Sequence, residues 1–192
     1  MNIKRLFPVT DYTKLQCDTE GLYSITNPFE AEQISHLIKS RFVDYSSLYI
    51  LDGNGGLGGN TFNFSKNFKQ VTTCEINEER YIMLVNNINQ YNLQNVKTLN
   101  IDSINYLFEN YDNYDVYFFD PPWGGPSYKE QSKLSLSIGT HSLLDIAKYL
   151  KTKVTNKILI FKIPFNYNFN EFVEFNYKLH KINKYYIIII ML

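Results

Sequence analysis

The sequence predicts an α/β fold: a mostly parallel sheet of seven strands, helices on both faces, and an antiparallel C-terminal hairpin strand. Three observations predict it. Apolar runs of strand length alternate with helical patterns from residue 47 to about 163, as βαβ units require. Four of those runs close on an acid: Asp52, Glu75, Asp102 and Asp120. The last run, Tyr185 to Leu192, is apolar at every position. A strand buried on both faces reads that way, so the terminal hairpin is expected to insert into the sheet rather than lie at its edge.

The elements follow in order. Asn27-Pro28-Phe29-Glu30 starts a helix, with Asn as N-cap, Pro at the first helical position and Glu at the third. Ile34, Leu37, Ile38 and Phe42 continue it at helical spacing. Ser47 to Leu51 is a strand that ends at Asp52 and enters the loop Gly53-Asn54-Gly55-Gly56-Leu57-Gly58-Gly59. Asn60 or Thr61 is expected to cap the next helix. Val71 to Ile76 is a second strand, Glu78 to Tyr91 a long helix, and Val96 to Ile101 a third strand. A short helix spans Ile104 to Phe108, and Asp115 to Phe119 forms the fourth strand. A loop runs to about Thr140, then a helix to Lys151. Lys157 to Ile163 is the fifth strand, stopped by Pro164. Asn170 to Phe175 is expected to be helical. Tyr177 to Ile182 and Tyr185 to Leu192 form the hairpin around Asn183-Lys184.

Size and composition bound the function. A chain of 192 residues with 44% apolar residues makes one domain with a real core. Residues 1–45 read as an N-terminal segment that covers a ligand, and residues 46–192 as the core. Lysine plus arginine balance aspartate plus glutamate at 19 each. A protein that grips many phosphates needs a basic face, so any nucleic acid is read through a small feature. Cys17 and Cys74 stand far apart, and the three histidines form no pair at metal spacing, so no metal is expected. The N-terminus lacks the apolar segment of a secretory signal. The expectation is an intracellular protein, nuclear or cytoplasmic, acting as a monomer.

The first loop and its acids point to a ligand. Gly53 and Gly56 lie where a β–α loop lets the backbone approach a bound molecule. No Gly-Lys-Ser/Thr follows, so this is not a phosphate loop of that type. Glu75, twenty-three residues after Asp52, stands where an acid accepts both ribose hydroxyls. Asp102 stands where a carboxylate meets an adenine amino group. An adenosine with free hydroxyls and no phosphate site points to S-adenosylmethionine, whose positive sulfonium suits a ring of acids.

Asp120-Pro121-Pro122-Trp123-Gly124-Gly125-Pro126 follows the fourth strand. Two prolines fix the backbone and remove two N–H groups, so the carbonyls there are left to accept from a ligand. An exocyclic amine could donate to them while its ring stacks on Trp123. Tyr128 is placed to border that pocket.

With these motifs in view, the chain resembles the RNA-cap trimethylguanosine synthase family of class I methyltransferases. The matches are D-x-x-x-G-x-G-G-N-T from Asp52 to Thr61, Glu75, Asn86-Asn87, and P-P-W-G-G-P-x-Y from Pro121 to Tyr128. Arg5 to Phe7 and Glu20 to Thr26 look like the family's N-terminal R-L-F and E-G-W-F-S-V-T. The resemblance implies a Rossmann-like fold and methyl transfer from S-adenosylmethionine to the N2 amine of a 7-methylguanosine RNA cap. It implies that Thr26, Asp52, Gly53, Gly56, Asn60, Glu75 and Asp102 line the cofactor site, together with Asp120. It implies that Asp120, Pro121 and Trp123 serve catalysis, and that Trp123, Tyr128, Asn166 and Arg5 bind the acceptor. A cationic 7-methylguanine over Trp gains a cation–π contact of roughly 0.5–2 kcal/mol.

The chain also departs from the family. Phe165 stands where the family carries an Arg for the cap phosphates, which leaves Lys162, Lys4 or Arg5 as substitutes. Asp120 stands where the family often has Ser, and Asn54 and Gly55 where it prefers bulkier residues. The family's helical extension ahead of the R-L-F stretch is nearly absent. An Asp at the fourth strand end is common among enzymes that methylate adenine N6, so that acceptor stays open. A cap-binding module without catalysis is the non-enzymatic alternative.

Overall fold

The computed structural model describes residues 5–7 and 11–192. The chain divides into two compact units, Met1–Ser103 and Ile104–Leu192. Its seven-stranded sheet has the order β3 (Val96–Leu99), β2 (Gln70–Cys74), β1 (Tyr49–Asp52), β4 (Val116–Phe119), β7 (Ile158–Pro164), β9 (Tyr185–Met191), β8 (Tyr177–Ile182).

The first unit contains α1 (Thr19–Ser24), α2 (Pro28–Lys39), β1 (Tyr49–Asp52), α3 (Gly59–Asn67), β2 (Gln70–Cys74), α4 (Glu78–Gln90) and β3 (Val96–Leu99). β1 pairs parallel with β2, and β2 with β3. α2 begins as the sequence predicts: the Asn27 side chain accepts from the Glu30 N–H at 3.0 Å. Helix α3 starts differently. Gly58, at φ 98°, makes the turn into it, and Asn60 and Thr61 lie buried within its first turn rather than capping it. Their side chains are spent on tertiary contacts, so a left-handed glycine supplies the entry instead. The N-terminal Phe7 is buried with Leu57, Phe62, Leu84 and Ile88. Burying a phenylalanine this way contributes about 1.5–3 kcal/mol and fastens the segment to α3 and α4.

The second unit contains α5 (Ser103–Asn110), β4 (Val116–Phe119), a two-stranded ribbon of β5 (Ser137–Ile138) and β6 (His141–Ser142), α6 (Leu143–Lys153), β7 (Ile158–Pro164), β8 (Tyr177–Ile182) and β9 (Tyr185–Met191). β4 and β7 are parallel, and β9 runs antiparallel to both β7 and β8. The terminal strand β9 is interior as expected, with Ile187 to Ile190 fully buried, but the hairpin lies at one end of the sheet, where β8 is the edge strand and Asn183 turns at φ 50°. α6 begins later than expected, at Leu143, where Ser142 and Asp145 form a reciprocal capping box. The segment expected to be helical at 170–175 is only a 3₁₀ turn, Phe169–Phe172. There Glu171 accepts from the Tyr167 and Ser135 hydroxyls, and Phe172 packs between Tyr167 and Phe161. Side-chain anchoring takes precedence over helical spacing.

Candidate functional site

In the first unit the carboxylates organise the glycine loop. Asp52 is fully buried, and its Oδ2 accepts from the Thr61 hydroxyl at 2.6 Å. Glu75, just past the end of β2, accepts from the Gly56 N–H through Oε2 and from the Asn77 N–H through Oε1, both at 2.9 Å. The Gly55 N–H donates to the Cys74 carbonyl at 2.8 Å. A side chain at Gly55 would collide with Thr73, whereas the position above Gly56, at φ 55°, is open. The loop is thus tied down on its inner side and open at Gly56. The buried Gly53 precedes this turn. Asn60 donates to the Thr26 hydroxyl at 3.1 Å, which joins the segment after α1 to the start of α3.

Asp52, Asp102 and Glu75 act on one group. Burial pushes the Cys74 thiol up to about 12, and all three carboxylates push it further in the same direction. The carboxylates at or past the ends of β1, β2 and β3 therefore all act electrostatically on Cys74 at the end of β2, with Asp102 three residues beyond the end of β3. The side-chain carbonyl oxygens of Asn54 and Asn60 are also buried there without a hydrogen-bond donor. Carboxylates and orphaned carbonyl oxygens form a set of acceptors. Such a set suits a ligand rich in N–H and O–H donors and positive in charge, and it repels a pyrophosphate.

Two further groups brace this unit, and their roles are not evident from sequence. Arg80, in the first turn of α4, pairs with Asp18 at 2.9 Å and Glu20 at 2.8 Å. Asn87 is fully buried, accepting from the Gln16 N–H at 2.9 Å and donating to the Gln16 carbonyl at 2.9 Å. Buried Asn87 thus ties the backbone at Gln16 to α4 through a donor and an acceptor. The only signal for it was the Asn86-Asn87 match itself. Arg5 is exposed, and among the described residues it makes no ion pair. Lys4 lies outside the described residues.

In the second unit the residues after β4 form an aromatic frame. Half-buried Trp123 meets Tyr128 edge-on, with centroids 5.2 Å apart and planes at 78°. It meets Tyr185 at 6.3 Å and 61°. Tyr128 is itself buried, so it is a wall of the frame rather than a loop tyrosine. The indole N–H of Trp123 is buried and has no acceptor. Pro121 is buried and Pro122 exposed. Asn166 donates its amide to the Tyr128 carbonyl at 2.7 Å and the Gln131 carbonyl at 2.8 Å, so it pins the loop that carries the frame.

Lys162 is the main correction to the sequence reading. It cannot stand in for a phosphate-binding Arg, because its side chain is only 6% exposed. Its ammonium binds Asp120 Oδ2 at 2.6 Å and lies 4.8 Å from the Tyr185 ring centroid and 5.6 Å from that of Trp123. Strand register explains the pairing. Phe119 sits opposite Phe161 in the parallel β4–β7 ladder, so the next residues, Asp120 and Lys162, fall side by side. A lysine inside the apolar run Ile160-Phe161-Lys162-Ile163 was the available signal.

Among the described residues no cluster of three or more His, Cys, Asp or Glu is placed to hold a metal, and no helix is long and apolar enough to cross a membrane.

Known proteins match this arrangement. A model of the RNA cap guanine-N2 methyltransferase family matches residues 47–191, about three quarters of the chain. An uncharacterized protein of Acanthamoeba polyphaga mimivirus is 34% identical over 209 aligned positions, spanning 96% of this chain and 81% of the viral protein. The trimethylguanosine synthase of Schizosaccharomyces pombe is 28% identical, spanning 82% of this chain and 66% of that enzyme. Among solved structures, a Thermus thermophilus 16S rRNA N2 methyltransferase, in complex with AdoMet and guanosine, superposes with a TM-score of 0.64 at 14% identity. That likeness covers 94% of this chain and 44% of the bacterial one, and it shows the fold. With acids at consecutive strand ends, a seven-stranded sheet closed by an antiparallel strand, and a match over most of its length, the chain is an S-adenosylmethionine-dependent methyltransferase of the RNA cap guanine-N2 methyltransferase family.

Proposed function

We propose that this chain, as a single methyltransferase domain, methylates the exocyclic N2 amine of a 7-methylguanosine RNA cap. The product is 2,7-dimethyl- or 2,2,7-trimethylguanosine. The observation that carries the acceptor is the frame around Trp123. An indole held between Tyr128 and Tyr185, beside an Asp-Pro-Pro backbone, suits a flat base with an amine at its edge. The family match and the yeast relative support the same acceptor.

In this reading each unit has a ligand of its own. In the first, Glu75 accepts from ribose hydroxyls, Asp102 from an adenine amine, and Asp52 faces positive charge. The loop at Gly53 and Gly56 gives close approach, and Asn60 with Thr26 closes the segment beside it. The acceptor-only chemistry described above fits S-adenosylmethionine. When bound, S-adenosylmethionine supplies a methyl group already activated on a sulfonium.

In the second unit, Trp123 and Tyr128 fix the plane of the guanine. The Pro121 carbonyl and Asp120 accept N2–H bonds and aim the nitrogen lone pair. Holding an amine in a near-attack geometry supplies roughly 7–11 kcal/mol in favourable cases. Because Lys162 already holds Asp120, that carboxylate orients the amine, and the departing N2 proton passes to water. The buried indole N–H suits a phosphate or carbonyl oxygen of the cap. Asn166 keeps the frame in place, and Arg5 contributes positive charge for phosphate.

Asp120 also favours a second reading, methylation of adenine N6. Labelled S-adenosylmethionine incubated with 7-methyl-GDP, GDP and uncapped adenine-containing RNA separates the two. Label on 7-methyl-GDP alone is expected; label on the adenine RNA alone would sink the cap reading. Label on none, with S-adenosylmethionine still bound, identifies a cap-binding module without catalysis.

A further inference from the structure

Beside the Trp123 frame, the second unit holds a groove of about 330 Å³ whose walls include Ser132, Lys133, Phe165, Asn166, Asn168 and Phe169. Its walls are fixed by main-chain hydrogen bonds. The Leu134 N–H donates to the Asn166 carbonyl at 2.9 Å, and the Asn168 N–H donates to the Leu134 carbonyl at 2.8 Å. Behind them Tyr167 gives its hydroxyl to Glu171 at 2.5 Å and stacks on Phe172 at 5.9 Å. The groove is therefore preformed.

Its chemistry is specific. Phe165 is 51% exposed, and its ring lies 6.4 Å from that of Tyr128, so Trp123, Tyr128 and Phe165 form a continuous aromatic row. Asn166 and Asn168 each hold a buried side-chain carbonyl oxygen that meets no donor. Native structures rarely leave such atoms unsatisfied. Lys133 is exposed and has no ion-pair partner among the described residues. A flat apolar face, two acceptors and a cation are the complement of one nucleotide. The volume, at the lower end for small-ligand sites, admits about one nucleoside.

We propose that this groove holds the nucleotide that follows the acceptor base in the RNA strand. Its base stacks on Phe165, its phosphate meets Lys133, and its N–H or hydroxyl donors reach Asn166 and Asn168. Phe165 thus takes a base where the family's Arg would take phosphate. The inference rests on the RNA-acceptor reading above.

Two measurements test it. Methylation is compared on 7-methyl-GDP and on a capped dinucleotide. The dinucleotide KM is expected to be roughly 5- to 150-fold lower, the worth of one base stacked on an aromatic ring. Phe165→Ser should bring that ratio towards one, and Phe165→Tyr should keep it. Equal KM values in the unaltered protein overturn the proposal. Separately, capped RNA with 4-thiouridine directly after the cap is irradiated with the protein, and the crosslinked peptides are sequenced. Crosslinks within residues 132–133 or 165–170 support the groove even if no guanine is methylated. Crosslinks elsewhere overturn it even if the cap is a good substrate. Failure of methylation on both acceptors counts against the cap reading alone, and the crosslink map then decides the groove.

Discussion

The two units both place an acid at the end of a strand and then use it in opposite ways. In Met1–Ser103, Asp52 and Glu75 bind their own surroundings: a threonine hydroxyl and two main-chain N–H groups. They hold the glycine loop and leave the neighbourhood negative. In Ile104–Leu192, Asp120 meets a buried lysine, and two aromatic rings flank that lysine. The first arrangement suits a cationic ligand, and the second a flat base. The same residue at equivalent positions of a parallel sheet therefore has no fixed meaning. Its partner decides the charge that a ligand meets.

The most severe way to break this contrast is to remove the lysine. Lys162→Ala takes the buried ammonium from the Asp120 carboxylate just past the end of β4 and should destabilise the protein by about 3–5 kcal/mol. Chemical denaturation measures it, and Lys162→Met combined with Asp120→Asn should recover most of the loss. A single Lys162→Ala variant of normal stability would show that the pair contributes little. Next comes Trp123→Ala. It should lower methylation of 7-methyl-GDP at least about a hundredfold, close to 2.7 kcal/mol of transition-state stabilisation. S-adenosylmethionine binding by calorimetry should be retained. Near-normal turnover would remove Trp123 from the acceptor site.

Glu75→Ala sharpens the other side. It takes the acceptor from two main-chain N–H groups, at about 1–3 kcal/mol for a buried unsatisfied group. Thermal unfolding with and without S-adenosylmethionine should show lower stability and a smaller shift on adding the cofactor. An unchanged shift would mean that Glu75 serves the loop alone. The smallest effect concerns Asp18. Burial raises its pKa, but the Arg80 guanidinium and the Gly21 N–H outweigh that and hold it below the usual value. A lowered carboxyl contributes stability above the unfolded pKa of about 4 and loses it as pH falls through the folded value. The pair is partly solvated, so the contribution is about 1 kcal/mol or less. Arg80→Gln should lower neutral stability by that amount and flatten the acid limb, so that the two stability profiles converge below about pH 4. A profile parallel to that of the unaltered protein would rule this out.

Much of the fold was legible because it rests on local rules. Asn27-Pro28 caps a helix in any context, and an all-apolar terminal run cannot remain at an edge. The acids were legible as a series, since one end of a parallel sheet collects strand termini. What the sequence did not disclose depends on partners distant in the chain. Asn60 and Thr61 have the composition of caps, yet Thr26 and Asp52 claim their side chains. Lys162 has the composition of a phosphate ligand, yet the register of β4 against β7 sets it beside Asp120. Asn87 stands in the sequence only as part of the Asn86-Asn87 match, because the Gln16 backbone it bonds lies 71 residues away.

The Asp120–Lys162 pair also constrains the history of the chain. A descendant that exchanges only one member must pass through a form with a lone charge buried in the middle of its sheet. Descent is then expected to retain the two residues together or lose them together. In collections of related genes, position 162 should be lysine where position 120 is acidic and apolar or small where it is a hydroxyl residue.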